Sequence, residues 1–231
     1  MPLNISVVVR GCVAAALSLL LALPAAAVTI DRSSPQVLIQ QTTDELLAII
    51  QRAAGTPAEE REPYYTEIEA VLNQVIDRDY FARGVMATYG SARLYRSLAT
   101  DAERDAFKAR VQKFSGELEA VLLAKYADAL FAFNAEKIEI DSLPGSAATE
   151  GKANMQQTIY DKKGTAYKLQ YNLSREKDGS WMITNVVVEG VNLGVSYRNQ
   201  FAEAVEKNRG DVDYVVDNWQ TLMSPKREVK E

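Results

Sequence analysis

Tyr167-Lys168-Leu169-Gln170-Tyr171-Asn172-Leu173-Ser174 alternates apolar and polar residues without interruption. A period of two puts Tyr167, Leu169, Tyr171 and Leu173 on one face of a β-strand and the polar residues on the other. The flanking segments extend the reading. Lys162-Lys163-Gly164 precedes the strand and Lys177-Asp178-Gly179 follows it, each a short polar stretch ending in glycine, as hairpin connections require. Trp181 to Glu189 then reads as a further strand, and Ile138 and Ile140 alternate with charged residues upstream. The last three strands are expected to be antiparallel neighbours.

On both sides of this sheet the period is close to 3.6. Ser34-Pro35 opens a helix, with the hydroxyl as cap and proline at the first helical position. A second helix is expected from near Pro63, with Tyr64, Ile68, Val71, Leu72 and Val75 on one face. Asp77 to Met86 forms another, ended by Gly90. Thr100 and Glu103 have the spacing of a capping box. The long helix behind it carries Phe107, Val111, Phe114, Leu118, Val121, Leu122, Tyr126 and Leu130 at intervals of three and four. Helix returns from Val195 to Lys207, stops at Asn208-Arg209-Gly210 and restarts behind Asp211 for a final helix through Trp219. The fold class is α+β, a helical layer packed on a curved, twisted antiparallel sheet.

The amino terminus has a different character. Arg10, an apolar run from Val13 to Leu23 and Ala25-Ala26-Ala27 make the three parts of an export signal, with cleavage expected after Ala27. The run is shorter than the roughly 20 residues of a membrane span. Residues 28–223 are expected to form one domain and 224–231 a charged tail, and the compartment implied is the periplasm.

Composition narrows the chemistry. The 231 residues include no histidine and one cysteine, Cys12, inside the expected signal. Imidazole and thiol catalysis and the common zinc sites are thereby removed, and no metal or cofactor is expected. A net charge of -5 disfavours nucleic acid as a partner. Asp77, Asp79, Asp211, Asp213 and Asp217 all lie at helix starts, where capping explains them. Glu189 ends a strand beside Gly190 and is the one carboxylate with a case as a general base. The apolar faces say more. A sheet curving away from a helical layer leaves room for a pocket, and tyrosine suits its rim, with 11 tyrosines against 6 phenylalanines.

Gly179-Ser180-Trp181-Met182-Ile183, Val186-Val187-Val188-Glu189-Gly190-Val191-Asn192-Leu193 and Tyr197-Arg198-Asn199-Gln200-Phe201 together resemble the signature of the MlaC family, periplasmic phospholipid-binding proteins also called toluene-tolerance proteins. The resemblance extends from about Ser33 to Leu222, through Ser34-Pro35, the Tyr80 to Tyr95 segment with Gly90, and the helix reaching Tyr126. Asn185 and Asn192 depart from it, standing where aspartate and serine are usual.

The resemblance implies an NTF2-like sheet, an apolar cavity and a carrier of diacyl phospholipids. It implies lipid movement between an outer-membrane lipoprotein–porin complex and an inner-membrane ABC transporter, which maintains outer-membrane lipid asymmetry. The expected lining is Phe114, Leu118, Leu122, Tyr126, Tyr167, Leu169, Tyr171, Val186, Val188 and Leu193. Which face of the Trp181–Glu189 strand turns inward stays open. Arg198 matches the family's arginine and either holds helix to sheet, the preferred reading, or meets the headgroup. The alternatives are a periplasmic enzyme using Glu189 on the same α+β plan, and an adaptor with a solid core.

Overall fold

The computed structural model describes residues 28–132, 135–143 and 151–224. The expected signal, residues 1–27, and residues 225–231 of the expected tail lie outside the described residues.

The first helix, α1, spans Pro35–Arg52, and the Ser34 hydroxyl accepts from Val37 N–H at 3.3 Å. It is followed by α2 (Glu62–Val75) and α3 (Arg78–Met86). Asp77 caps α3, accepting from Tyr80 N–H at 2.9 Å. A 3₁₀ turn leads into α4 (Ala92–Ser97), a helix the apolar periodicity does not reveal because it is only six residues long. The capping box is formed in both directions. Glu103 N–H donates to the Thr100 hydroxyl at 3.2 Å, and Thr100 N–H to the Glu103 carboxylate at 2.8 Å. Behind it runs α5 (Asp101–Ala132), 32 residues and about 48 Å long.

Next comes the sheet, β1 (Ala135–Ser142), β2 (Lys152–Asp161), β3 (Ala166–Arg175), β4 (Trp181–Val188) and the two-residue β5 (Val191–Asn192). Spatial order follows chain order and every pairing is antiparallel. Both expected hairpin turns are present, with Gly164 and Gly179 at positive φ. β5 has no counterpart in the sequence reading. Glu189 and Gly190, both at positive φ, turn the chain back on itself in two residues. The chain closes with α6 (Leu193–Lys207), α7 (Val212–Asp217) and α8 (Trp219–Met223). The expected single final helix is thus two, broken at Asn218, whose Nδ2 donates to the Tyr214 carbonyl at 2.9 Å.

Two apolar cores result. One is entirely helical and gathers Val85 and Met86 of α3, Phe107, Val111, Phe114 and Leu118 of α5, Tyr197 and Phe201 of α6, and Trp219 of α8. The other joins Leu38 and Ile39 of α1 and Ile68, Val71 and Val75 of α2 to Met155, Leu173 and Ile183 of the sheet. α5 is shared, because Val121 and Leu122 pack on the first core and Leu123 on the second. Among the described residues no helix is long and apolar enough to cross a membrane.

Candidate lipid-binding seam

Strand register settles which sheet face turns to the helices. Leu173 pairs with Ile183, Tyr171 with Val186 and Leu169 with Val188. Ile183 and Val186 are three residues apart, an odd interval that would normally place them on opposite faces. A bulge opposite Asn172 and Leu173 absorbs one extra residue, so both point inward. Across the sheet the same face continues through Met155 opposite Tyr171, Gln157 opposite Leu169 and Ile159 opposite Tyr167. Val186 and Val188 therefore lie on the face that carries Tyr167, Leu169 and Tyr171.

Burial along that face is uneven. Leu173 and Ile183 are closed over, at 2% and 4% exposure. Tyr171 and Val186, Leu169 and Val188, and then Tyr167, Ile159 and Ile138 are only half-buried. Residues of α5 and α6 show the same property. Leu122, Leu123, Tyr126 and Phe131 of α5 and Leu193 of α6 are half-buried, and they line the borders of the two cores. The outcome is a band of incompletely covered apolar side chains.

Two residues of the expected lining are fully buried. Phe114 and Leu118 are 0% and 2% exposed inside the helical core. The Phe114 ring meets Phe201 and Trp219 edge-on at centroid distances of 4.8 and 5.2 Å, so these positions are filled by protein. Their spacing on α5 is the same as that of Leu122 and Tyr126, and periodicity has no means of marking where the helix changes partners. A different signal was available. Val121-Leu122-Leu123 is a run of three apolar residues, which no single helix face can hold, and it marks where α5 serves both cores. Leu123 is the residue this adds, and the structure packs Phe131 with it on the second core.

One polar chain runs inside the apolar face. The Tyr171 hydroxyl donates to Gln157 Oε1 at 2.6 Å, Gln157 Nε2 donates to Thr43 Oγ1 at 2.8 Å, and Thr43 donates to the Ile39 carbonyl at 2.7 Å. Gln157 is 2% exposed, and burial pushes the Tyr171 phenol well above its ordinary range. The chain fastens α1 to β2 and β3 along the edge of the half-buried band.

Polar groups elsewhere serve the framework. Arg198 is exposed, and its Nε donates to the Gly84 carbonyl at 3.1 Å, so it ties α6 to α3 and not to the sheet. Glu189 is exposed in the β4–β5 turn, its carboxylate accepting from Lys168 N–H. That position gives a general base no enclosed substrate to work on. The departures at 185 and 192 form a network of their own. Asn185 Nδ2 donates to Asn172 Oδ1 and Asn192 Oδ1, each at 3.1 Å, while its Oδ1 accepts from Gly194 N–H at 3.1 Å. Asn192 Oδ1 caps α6 through Val195 N–H at 3.0 Å. An aspartate at 185 would lack the donor that these contacts use. A Cβ on residue 194 would lie 2.7 Å from Asn185 Oδ1, which explains the glycine.

At the α5–α6 border Lys125 Nζ sits 5.6 Å from the Tyr126 ring centroid and 5.7 Å from that of Tyr197. Burial, with Tyr126 beside it, raises the Tyr197 phenol above its ordinary range. A separate cleft of about 460 Å³ is lined by Arg32, Asp77, Glu176, Lys177, Asp178, Ser180 and Met182. Its mixed charges are poorly suited to alkyl chains. Among the described residues no group of three or more acidic, histidine or cysteine side chains has a metal-binding arrangement.

Known proteins resemble this chain in sequence or in fold. The chain is 28% identical over 215 residues to the toluene tolerance protein ttg2D of Pseudomonas putida, covering 93% of this chain and 90% of that one. It is 29% identical over 168 residues to the intermembrane phospholipid transport system binding protein MlaC of Haemophilus influenzae, covering 71% of each. A phospholipid-binding protein from Ralstonia solanacearum, solved in complex with a phospholipid, superposes with a TM-score of 0.60 at 20% identity, covering 84% of this chain and 97% of that one. The model of the MlaC protein family matches residues 40–221, well over half the chain, and the protein belongs to that family.

Proposed function

We propose that the protein is a periplasmic phospholipid carrier that holds acyl chains along the half-buried band between its two cores and leaves the headgroup at the exposed end. The observation that carries this reading is the band itself. Soluble proteins seldom leave a contiguous apolar strip uncovered on a face that points at their own helices. Tyr167, Leu169, Tyr171, Val186 and Val188 do so here, and Tyr171 and Val186 border one core together with Leu123 and Phe131 of α5.

The need for such a carrier follows from solvation. Two acyl chains with about 30 methylenes, at ~0.8 kcal/mol each, make release into water cost about 24 kcal/mol. A barrier of about 24 kcal/mol allows escape only about once per day. Lipid must therefore stay covered in transit and pass directly to an acceptor. The donor and acceptor we propose are an outer-membrane lipoprotein–porin complex and an inner-membrane ABC transporter, with outer-membrane lipid asymmetry as the outcome. The process needs no bond to be made or broken and no cofactor, so the protein acts without being an enzyme.

The test is organic extraction of full-length protein purified from periplasm, followed by mass spectrometry. About one diacyl phospholipid equivalent per protein is expected. Protein that is folded and monodisperse yet yields no lipid, and takes none up from vesicles, overturns the reading.

A further inference from the structure

The second proposal rests on the carrier reading and concerns the headgroup end of the band. Lys125 is exposed on α5. It is held above two tyrosine rings, at 5.6 Å from Tyr126 and 5.7 Å from Tyr197. Tyr197 is 1% exposed and fixed in the helical core, so the platform beneath the ammonium is rigid on that side. An ammonium has three N–H donors, so one turned toward a ring still leaves others for an anion. The place matters equally. Tyr126 is one of the half-buried residues of the band, and Leu122 precedes Lys125 by one helical turn on α5, as Leu193 precedes Tyr197 on α6. An exposed cation is thus held beside half-buried apolar residues of α5 and α6.

We infer that Lys125, positioned by Tyr126 and Tyr197, binds the phosphodiester of the carried lipid. The phosphate is the one headgroup element every phospholipid shares, so this contact separates phospholipids from neutral diacylglycerol without separating one headgroup from another. Ammonium–phosphate pairing at a solvent-exposed site is worth about fivefold in affinity.

The experiment measures displacement of a fluorescent lipid from delipidated full-length protein by phosphatidylethanolamine, phosphatidylglycerol and diacylglycerol with identical chains. Inorganic phosphate is a fourth competitor. Wild-type protein is expected to prefer both phospholipids to diacylglycerol by about fivefold. Lys125→Met is expected to abolish that preference while leaving diacylglycerol binding unchanged, and Lys125→Arg to restore it. Equal wild-type affinity for phospholipid and diacylglycerol, or a Lys125→Met variant that keeps the preference, overturns the assignment and leaves the carrier reading standing. Displacement by millimolar inorganic phosphate also overturns it, because the site would then serve a free anion. Wild-type protein that binds none of the lipids overturns the carrier reading, and this inference with it.

Discussion

Leu169→Trp is expected to reduce lipid binding sharply while leaving the lipid-free protein folded. Leu169 is half-buried between Gln157 and Val188 on the inner sheet face, so a larger ring there has room along the band. The added ring occupies space equivalent to about two to three methylenes of bound chain. At ~0.8 kcal/mol each, the loss is about 2 kcal/mol, or roughly thirtyfold in affinity. Stability of lipid-free protein is expected to change by less than about 1 kcal/mol, as is usual where no core contact is lost. Leu118→Ala provides the opposite case. Leu118 is 2% exposed in the helical core, so its truncation is expected to cost about 2–5 kcal/mol of stability with little effect on affinity. Urea unfolding must be done on delipidated protein, since bound lipid itself stabilises the folded state. Fluorescent-lipid displacement gives the affinities. A Leu169→Trp variant with wild-type affinity and unchanged stability would refute the reasoning, because the chains would then lie elsewhere.

Gly194→Ala is expected to cost about 1–3 kcal/mol, because its Cβ would sit 2.7 Å from Asn185 Oδ1; a lowered urea midpoint at unchanged slope is the readout. Tyr171→Phe leaves Gln157 Oε1 buried without its donor and is expected to cost about 1–3 kcal/mol, with Tyr171→Phe/Gln157→Leu less destabilised than the sum of the single changes in a double-mutant cycle. Burial raises the pKa of Glu119 against the opposing influence of Arg78, so the folded state binds the proton more tightly and this group favours folding as pH falls through its titration, opposing it above. Glu119→Gln is accordingly expected to be at least as heat-stable as wild type at about pH 7, with any advantage shrinking towards about pH 4. Amino-terminal sequencing of the exported protein is expected to begin at Val28.

The strands and turns were legible because alternation and glycine act locally. Tyr167 to Leu173 fixes a face wherever the strand ends up, and Gly164 and Gly179 supply the positive φ their turns need. The helix caps at Ser34, Asp77, Thr100 and Asp211 were legible for the same reason, each lying within three residues of the N–H it receives. What stayed hidden depends on partners distant in sequence. The bulge that brings Ile183 and Val186 to one face shows only in the pairing with β3. Phe114 and Leu122 share one stripe of α5, yet the first is sealed by Phe201 and Trp219 and the second borders the band. Arg198 could be placed at a packing junction, but its partner is the Gly84 carbonyl of α3, 114 residues away. Helix α4 and strand β5 are too short for any periodicity to register.

The central claim, that acyl chains lie along the band between the cores, is tested most directly by photo-crosslinking. A phospholipid carrying a diazirine midway along one acyl chain is loaded into the full chain, irradiated, and the adducts mapped by peptide mass spectrometry. Adducts are expected on β3 and β4 at Leu169, Tyr171, Val186 and Val188, and on α5 between Leu122 and Tyr126. Adducts confined to the Arg32–Asp178 cleft or to exposed surface such as Tyr214 would contradict the claim.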